Sequence, residues 1–160
     1  MERDAEVEAK ILTGIVNNQK LKKKKKVVKK RRQFDCVFIT GIKKLKKVSV
    51  KYLVKNLKEL LVIEDEKFEG YVITGTSRVV EQKTVTACKE LKLRVLQAPA
   101  NFQMFSGASA EQIRNQDVVE TFKPKLVIIV GDEEDVEDDD SMVVLKKYLY
   151  RKNIPVHILE

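Results

Sequence analysis

The residues best placed to do chemistry sit in short turns that follow apolar runs: Thr40-Gly41-Ile42-Lys43, Thr74-Gly75-Thr76-Ser77-Arg78, Pro99-Ala100-Asn101 and Gly131-Asp132-Glu133. Two are Thr-Gly turns, and the second continues into two hydroxyls and an arginine. Such a turn offers backbone N–H groups and a guanidinium fork to a phosphate. The same glycines also serve a plainer purpose, because Gly lets the chain turn tightly between a strand and a helix. At this level both readings of Gly41 and Gly75 stand.

A second feature is the run from Lys20 to Arg32, KLKKKKKVVKKRR, with ten basic residues in thirteen and no acid. The 160-residue chain has 32 Lys+Arg against 24 Asp+Glu, a net charge of +8, so outside this run acids outnumber bases by two. Basic character is thus a property of the run. Lys22, Lys23, Lys24, Lys25, Lys26, Lys29, Lys30, Arg31 and Arg32 are candidate contacts to nucleic-acid phosphates, and binding through so many cations is steeply salt-dependent. An import signal is another reading of the same residues. No aromatic residue interleaves with the run, so it carries no base-stacking platform.

The opposite anomaly is Asp132 to Asp140, DEEDVEDDD, eight acids in nine positions. Asp138, Asp139 and Asp140 directly precede a helical pattern, where carboxylates cap N–H groups and suit the positive end of the helix dipole. The remaining acids read as a surface for a basic partner, a loose Mg²⁺ site with Asp132 and Asp135 as candidate ligands, or a dock for the basic run.

Other chemistries are excluded or weakened by counts. One histidine and two separated cysteines, Cys36 and Cys88, cannot form a zinc finger or a Cys-x-x-Cys redox pair. His157, in Val-His-Ile-Leu, reads as an outward strand position, and the cysteines read as small core residues of a reducing compartment. Tyr148 and Tyr150 show no cage or platform spacing. No run approaches the roughly 20 apolar residues of a membrane span, and none resembles a signal peptide. The expectation is an intracellular protein, cytoplasmic, or nuclear in a eukaryote or its virus, with no membrane partner.

The elements that position these turns follow from periodicity. Val7, Ile11 and Ile15, with Leu12 and Val16 beside them, predict an amphipathic helix over residues 1–19, packed on the domain or on a second copy in a homodimer. Residues 20–33 form a basic linker. From residue 34 to 160, apolar runs at 34–41, 71–75, 94–98, 126–131 and 156–159 alternate with helical patterns. Ser49 caps one helix, whose Leu53, Leu57, Leu60 and Leu61 share a face. Ser109-Ala110-Glu111-Gln112 reads as a capping box that starts another. Near-continuous apolar strands alternating with helices predict an α/β fold, a Rossmann-like three-layer sandwich with a mostly parallel sheet of about five strands. Ligands of such sheets sit beyond the carboxyl ends of the strands, where the four turns lie.

The order VFITGIK, YVITGTSRVVE, LRVLQAPANF, SAEQIRNQDVVE, LVIIVGD and KNIPVHIL resembles the SLOG superfamily, which includes the Smf/DprA proteins and the Lonely Guy phosphoribohydrolases, and is closest to its YspA-like branch. The resemblance covers residues 34–160. It implies a nucleotide-derived ligand held by Gly41, Lys43, Gly75, Thr76, Ser77, Arg78, Arg114, Asn115 and Gly131, with Arg114-Asn115 on the first turn of their helix. Lys43 stands where the branch has Arg, Thr76 and Val79 where it has Gly, and Glu81 where it has Asp. The acidic block follows Gly131, where the branch has a Gly-Thr loop facing phosphate.

The resulting expectation is a nucleotide-ligand or nucleic-acid binding protein rather than an enzyme. One alternative is a nucleoside-phosphate hydrolase of Lonely Guy type, with Glu81 or an acid of Asp132–Asp135 supplying the carboxylate. The other is an interaction scaffold built on the two charged blocks.

Overall fold

Alternation of side chains along a strand buries both faces only if helices cover both, and that is what the strands at 36–41, 71–74 and 126–130 achieve. The computed structural model describes residues 36–63 and 66–160. The expected helix at 1–19 and the basic run at 20–33 lie outside the described residues.

In chain order the elements are β1 (Cys36–Gly41), α1 (Val50–Leu61), β2 (Val62–Ile63), β3 (Glu66–Lys67), β4 (Tyr71–Thr74), α2 (Val79–Glu90), β5 (Arg94–Gln97), α3 (Gly107–Phe122), β6 (Leu126–Val130), α4 (Glu133–Glu137), α5 (Asp140–Arg151) and β7 (Val156–Leu159). Five strands form one sheet in the order β5-β4-β1-β6-β7, with every neighbouring pair parallel. The Rossmann-like α/β sandwich is thus present, and its sheet is wholly parallel. The chain moves outward from β1 through β4 to β5, then crosses back to β6 on the other side of β1. The switch point therefore lies between the carboxyl ends of β1 and β6, where ligand crevices form in open α/β sheets.

Two cores follow the period of two. Val37, Ile39, Val72, Ile128 and Val130 face α1 and α2, against Leu53, Leu57, Val80, Ala87 and Cys88. Cys36, Phe38, Ile73, Val127 and Ile129 face α3 and α5, against Val118, Val119, Met142, Leu145 and Leu149. The central strands are completely enclosed. Both cysteines are buried, and burial pushes the Cys88 thiol up to about 12, which removes it as a thiolate nucleophile at neutral pH. His157 is exposed, as its strand pattern predicts.

Helix ends follow local chemistry. The Ser49 hydroxyl accepts the Tyr52 N–H at 3.0 Å, the N-cap expected for α1. Asp139 caps α5 by accepting from the Met142 N–H. The expected capping box at Ser109 is not formed. The extended residue is Ser106, and α3 starts at Gly107, because the Ser109 N–H is already held by the Ser106 carbonyl at 2.9 Å. Arg114 and Asn115 consequently lie about two turns into α3, not on its first turn. The short antiparallel pair β2–β3 carries no periodic signal and was not expected.

Candidate functional site

The carboxyl ends of β1 and β4 converge on a buried ionic network rather than an open phosphate cradle. Glu81, on the first turn of α2, is 0% exposed. Its Oε2 accepts from the Thr40 hydroxyl at 2.8 Å and from Arg114 Nη2 at 2.7 Å. Its Oε1 accepts from the backbone N–H groups of Ser77 and Arg78, each at 3.2 Å. Both oxygens are thus saturated by donors, one of them a guanidinium. A carboxylate in that setting has no lone pair free to take a proton from water, which counts against Glu81 as a general base.

Arg78 is held as tightly. Its Nε and Nη2 fork onto Glu111 at 2.9 and 2.6 Å, and its Nη1 reaches the Gly41 carbonyl and Asp139 Oδ2, both at 2.8 Å. Burial works against the charged guanidinium, but the hydrogen bonds and fields of Glu111 and Asp139 outweigh it and hold Arg78 more firmly protonated than usual. Glu111 and Asp139 occupy the donors that a phosphate would need. Arg114 also donates to the Asn115 side-chain oxygen at 2.8 Å and the Ala98 carbonyl at 2.9 Å, and its guanidinium carbon lies 5.7 Å from the centre of the Phe38 ring.

The two Thr-Gly turns are filled from within. A Cβ on Gly41 would meet the Val80 side chain at 2.6 Å, and one on Gly75 would collide with Arg114 Nη1 and the Glu81 carboxylate. These glycines admit protein groups, so the plainer reading of their sequence positions describes their packing. Gly131 differs. Its φ of +149° suits only glycine, and its Cα faces Ile42 across the switch point.

At that switch point a cleft of about 340 Å³ is lined by Ile42, Leu45, Val48, Tyr52 and Leu159, with Lys47, Asp132, Asp135 and Glu160 also in its wall. Three carboxylates against one lysine make it a poor phosphate site. The Tyr52 hydroxyl, which donates to the Glu160 backbone carbonyl, is raised by burial and by the fields of Asp132 and Glu160. Asp135 is engaged with Lys44 at 3.2 Å. Among the described residues no group of three or more His, Cys, Asp or Glu is arranged to hold a metal ion, so Asp132 and Asp135 gain no third ligand there.

Of the residues expected to line a ligand pocket, Gly41, Gly75, Arg78, Arg114 and Asn115 come together as a closed buried cluster, while Lys43 and Thr76 are exposed at its edge and Ser77 points back to Glu111 at 3.2 Å. Sequence reasoning missed Glu111 and Asp139 as partners of Arg78. It also missed the loop Lys43-Lys44-Leu45-Lys46-Lys47, four lysines in five positions at the end of β1. All four are exposed, and Lys43, Lys46 and Lys47 have no ion pair among the described residues. Their spacing was the available signal, masked by the denser run upstream.

The network predicts an acid-labile fold. Burial alone would raise the carboxyl groups of Glu111 and Asp139, but Arg78, with Ser77 for Glu111 and the Lys43 N–H for Asp139, holds both below their ordinary values of 4.5 and 3.8. Groups depressed in the folded state take up protons first in the unfolded chain. Their stabilisation is therefore complete above the ordinary values and is lost as pH falls through the lower folded ones. Thermal unfolding followed from pH 7 to 2.5 should show a steep loss below about pH 4, and Glu111→Gln should flatten that limb while lowering the neutral-pH plateau.

No family model matches the chain, and no curated protein matches it.

Proposed function

We propose that the chain is a non-catalytic nucleic-acid binding protein built on a SLOG-type Rossmann-like domain. It holds phosphate backbones through surface cations rather than through a nucleotide pocket. The observation that carries this reading is the division of labour among cations: the buried arginines at the strand ends are neutralised by Glu81, Glu111 and Asp139, whereas three lysines of the 43–47 loop are exposed and unpaired among the described residues. Arg78 has no donor to spare for a ligand phosphate, and the charge of Arg114 is neutralised by Glu81. Exposed lysines beside the switch point, together with the basic run at 20–32, supply the dispersed positive charge that binds a polyanion without reading its sequence.

The nucleotide-pocket and hydrolase readings require Arg78, Arg114 and Glu81 to release their internal partners. The buried pairing of Arg78 with Glu111 and Asp139 and of Arg114 with Glu81 supports neither. The discriminating experiment is competition. A fluorescent 20-nucleotide strand bound to the full chain should be displaced by unlabelled oligonucleotide and left in place by millimolar AMP, ADP or ATP, with none of these nucleotides hydrolysed in Mg²⁺. Displacement by a mononucleotide at micromolar concentration would restore the pocket reading.

A further inference from the structure

The outer face of α5 forms a groove of about 390 Å³ lined by Glu137, Val143, Lys146, Lys147, Tyr150 and Arg151. Val143, Lys147, Tyr150 and, one position on, Arg151 recur at helical spacing, so they share one face of α5. The two tyrosines of this helix differ sharply. Tyr148 is engaged, its hydroxyl donating to Glu120 and its ring lying under Lys152 at 5.5 Å. Tyr150 is 84% exposed, and its hydroxyl makes no hydrogen bond among the described residues.

An exposed ring flanked by cations is a surface on which a planar anionic ligand can stack, and the charges around Tyr150 select the ligand. Lys147 and Arg151 have no ion pair among the described residues, while Lys146 is paired with Glu137 at 2.6 Å. Among the described residues the groove therefore has one apolar wall residue, one exposed ring and two cations outside any ion pair. We propose that this face of α5 is a single-strand nucleic-acid platform. A base stacks on Tyr150, and the flanking phosphates lie against Lys147 and Arg151. A single strand is the occupant because only unpaired bases leave a face free to stack on Tyr150, whereas a duplex keeps its bases stacked within the helix. The inference rests on the nucleic-acid reading above and adds the stacking element that the aromatic-free run at 20–32 lacks.

The test uses the full chain and 12-nucleotide oligo(dT), with a duplex of equal length as comparison, read by fluorescence anisotropy. Tyr150→Ala should weaken single-strand binding about tenfold, leave duplex binding unchanged, and leave the salt slope intact, since stacking releases few counterions. Tyr150→Phe should retain most of the affinity. Lys147→Gln with Arg151→Gln should lower the slope by about 1.4. If the unaltered chain binds the strand and Tyr150→Ala binds it equally well, the platform is overturned while the nucleic-acid reading survives. If the unaltered chain binds neither oligonucleotide, both fall. Displacement of the strand by a poly-glutamate 12-mer from the unaltered chain but not from Tyr150→Ala would assign the groove to an acidic peptide and also overturn the proposal.

Discussion

An Arg114→Ala chain is expected to unfold at a temperature lower by on the order of 10–20 °C, equivalent to a loss of about 3–5 kcal/mol. The substitution removes the charged partner of Glu81, a carboxylate with a side chain 0% exposed, and leaves its buried charge with only the neutral donors of Thr40, Ser77 and Arg78 N–H. Burying a charge without its partner is far more damaging than losing an exposed pair, whose worth is about 0–1 kcal/mol. It also removes the donor held by the Ala98 carbonyl and the cation over Phe38. Urea unfolding of Arg114→Ala, Glu81→Gln and the double variant gives the coupling directly. The double variant should be less destabilised than the sum of the singles by more than about 1 kcal/mol. A loss under about 1 kcal/mol for Arg114→Ala would mean that the network is solvated rather than buried. Below its unfolding temperature, Arg114→Ala should bind oligonucleotides as the unaltered chain does, because Arg114 serves the fold.

The second large effect concerns the cations themselves. Deleting residues 20–32 removes ten positive charges and should lower affinity for a 20-nucleotide strand by roughly 10³-fold or more near 0.1 M salt, with the log–log salt slope reduced by up to about 7. Replacing Lys43, Lys44, Lys46 and Lys47 with Gln should reduce the slope by up to about 3. Among the described residues, the side chains of Lys43, Lys44, Lys46 and Lys47 make no hydrogen bond or ion pair to Arg78, Glu81, Glu111, Arg114 or Asp139. Their replacement should therefore keep the unfolding temperature of the unaltered domain within a few degrees. The pairing of large binding effects with small stability effects is the mirror image of Arg114→Ala.

The fold was legible because its signals are local. Ile39, Ile73 and Ile128 sit in short β-branched runs closed by Gly that alternate with helical patterns, the signature of a doubly covered parallel sheet, and Ser49 announces α1 by its own hydroxyl. The start of α3 was misplaced because Ser106 and Ser109 are both acceptable caps in one dimension, and only the backbone of Ser106–Gly107 decides between them. The candidate site was half legible. Its residues were found, but their partners were not, since Arg78 pairs with Glu111 and Asp139 across 33 and 61 positions of sequence. Without those carboxylates, Thr-Gly-Thr-Ser-Arg reads as a phosphate turn. With them, the same arginine is a structural cation joining the start of α2 to α3 and to the cap of α5. Tyr150 shows the same limit in reverse, because its neighbour Tyr148 has the same chemistry and only three-dimensional contacts separate the engaged ring from the free one.

Binding through dispersed lysines has a signature that neither a nucleotide pocket nor a protein scaffold shares, namely the dependence of affinity on salt. The most direct measurement is the dissociation constant of the full chain for a fluorescent 20-nucleotide single strand, taken by anisotropy between roughly 50 and 300 mM KCl. Release of counterions by several phosphate contacts predicts a log–log slope of about −5 or steeper. No binding at the lowest salt, or a slope between zero and about −1, would contradict nucleic-acid binding through the surface cations.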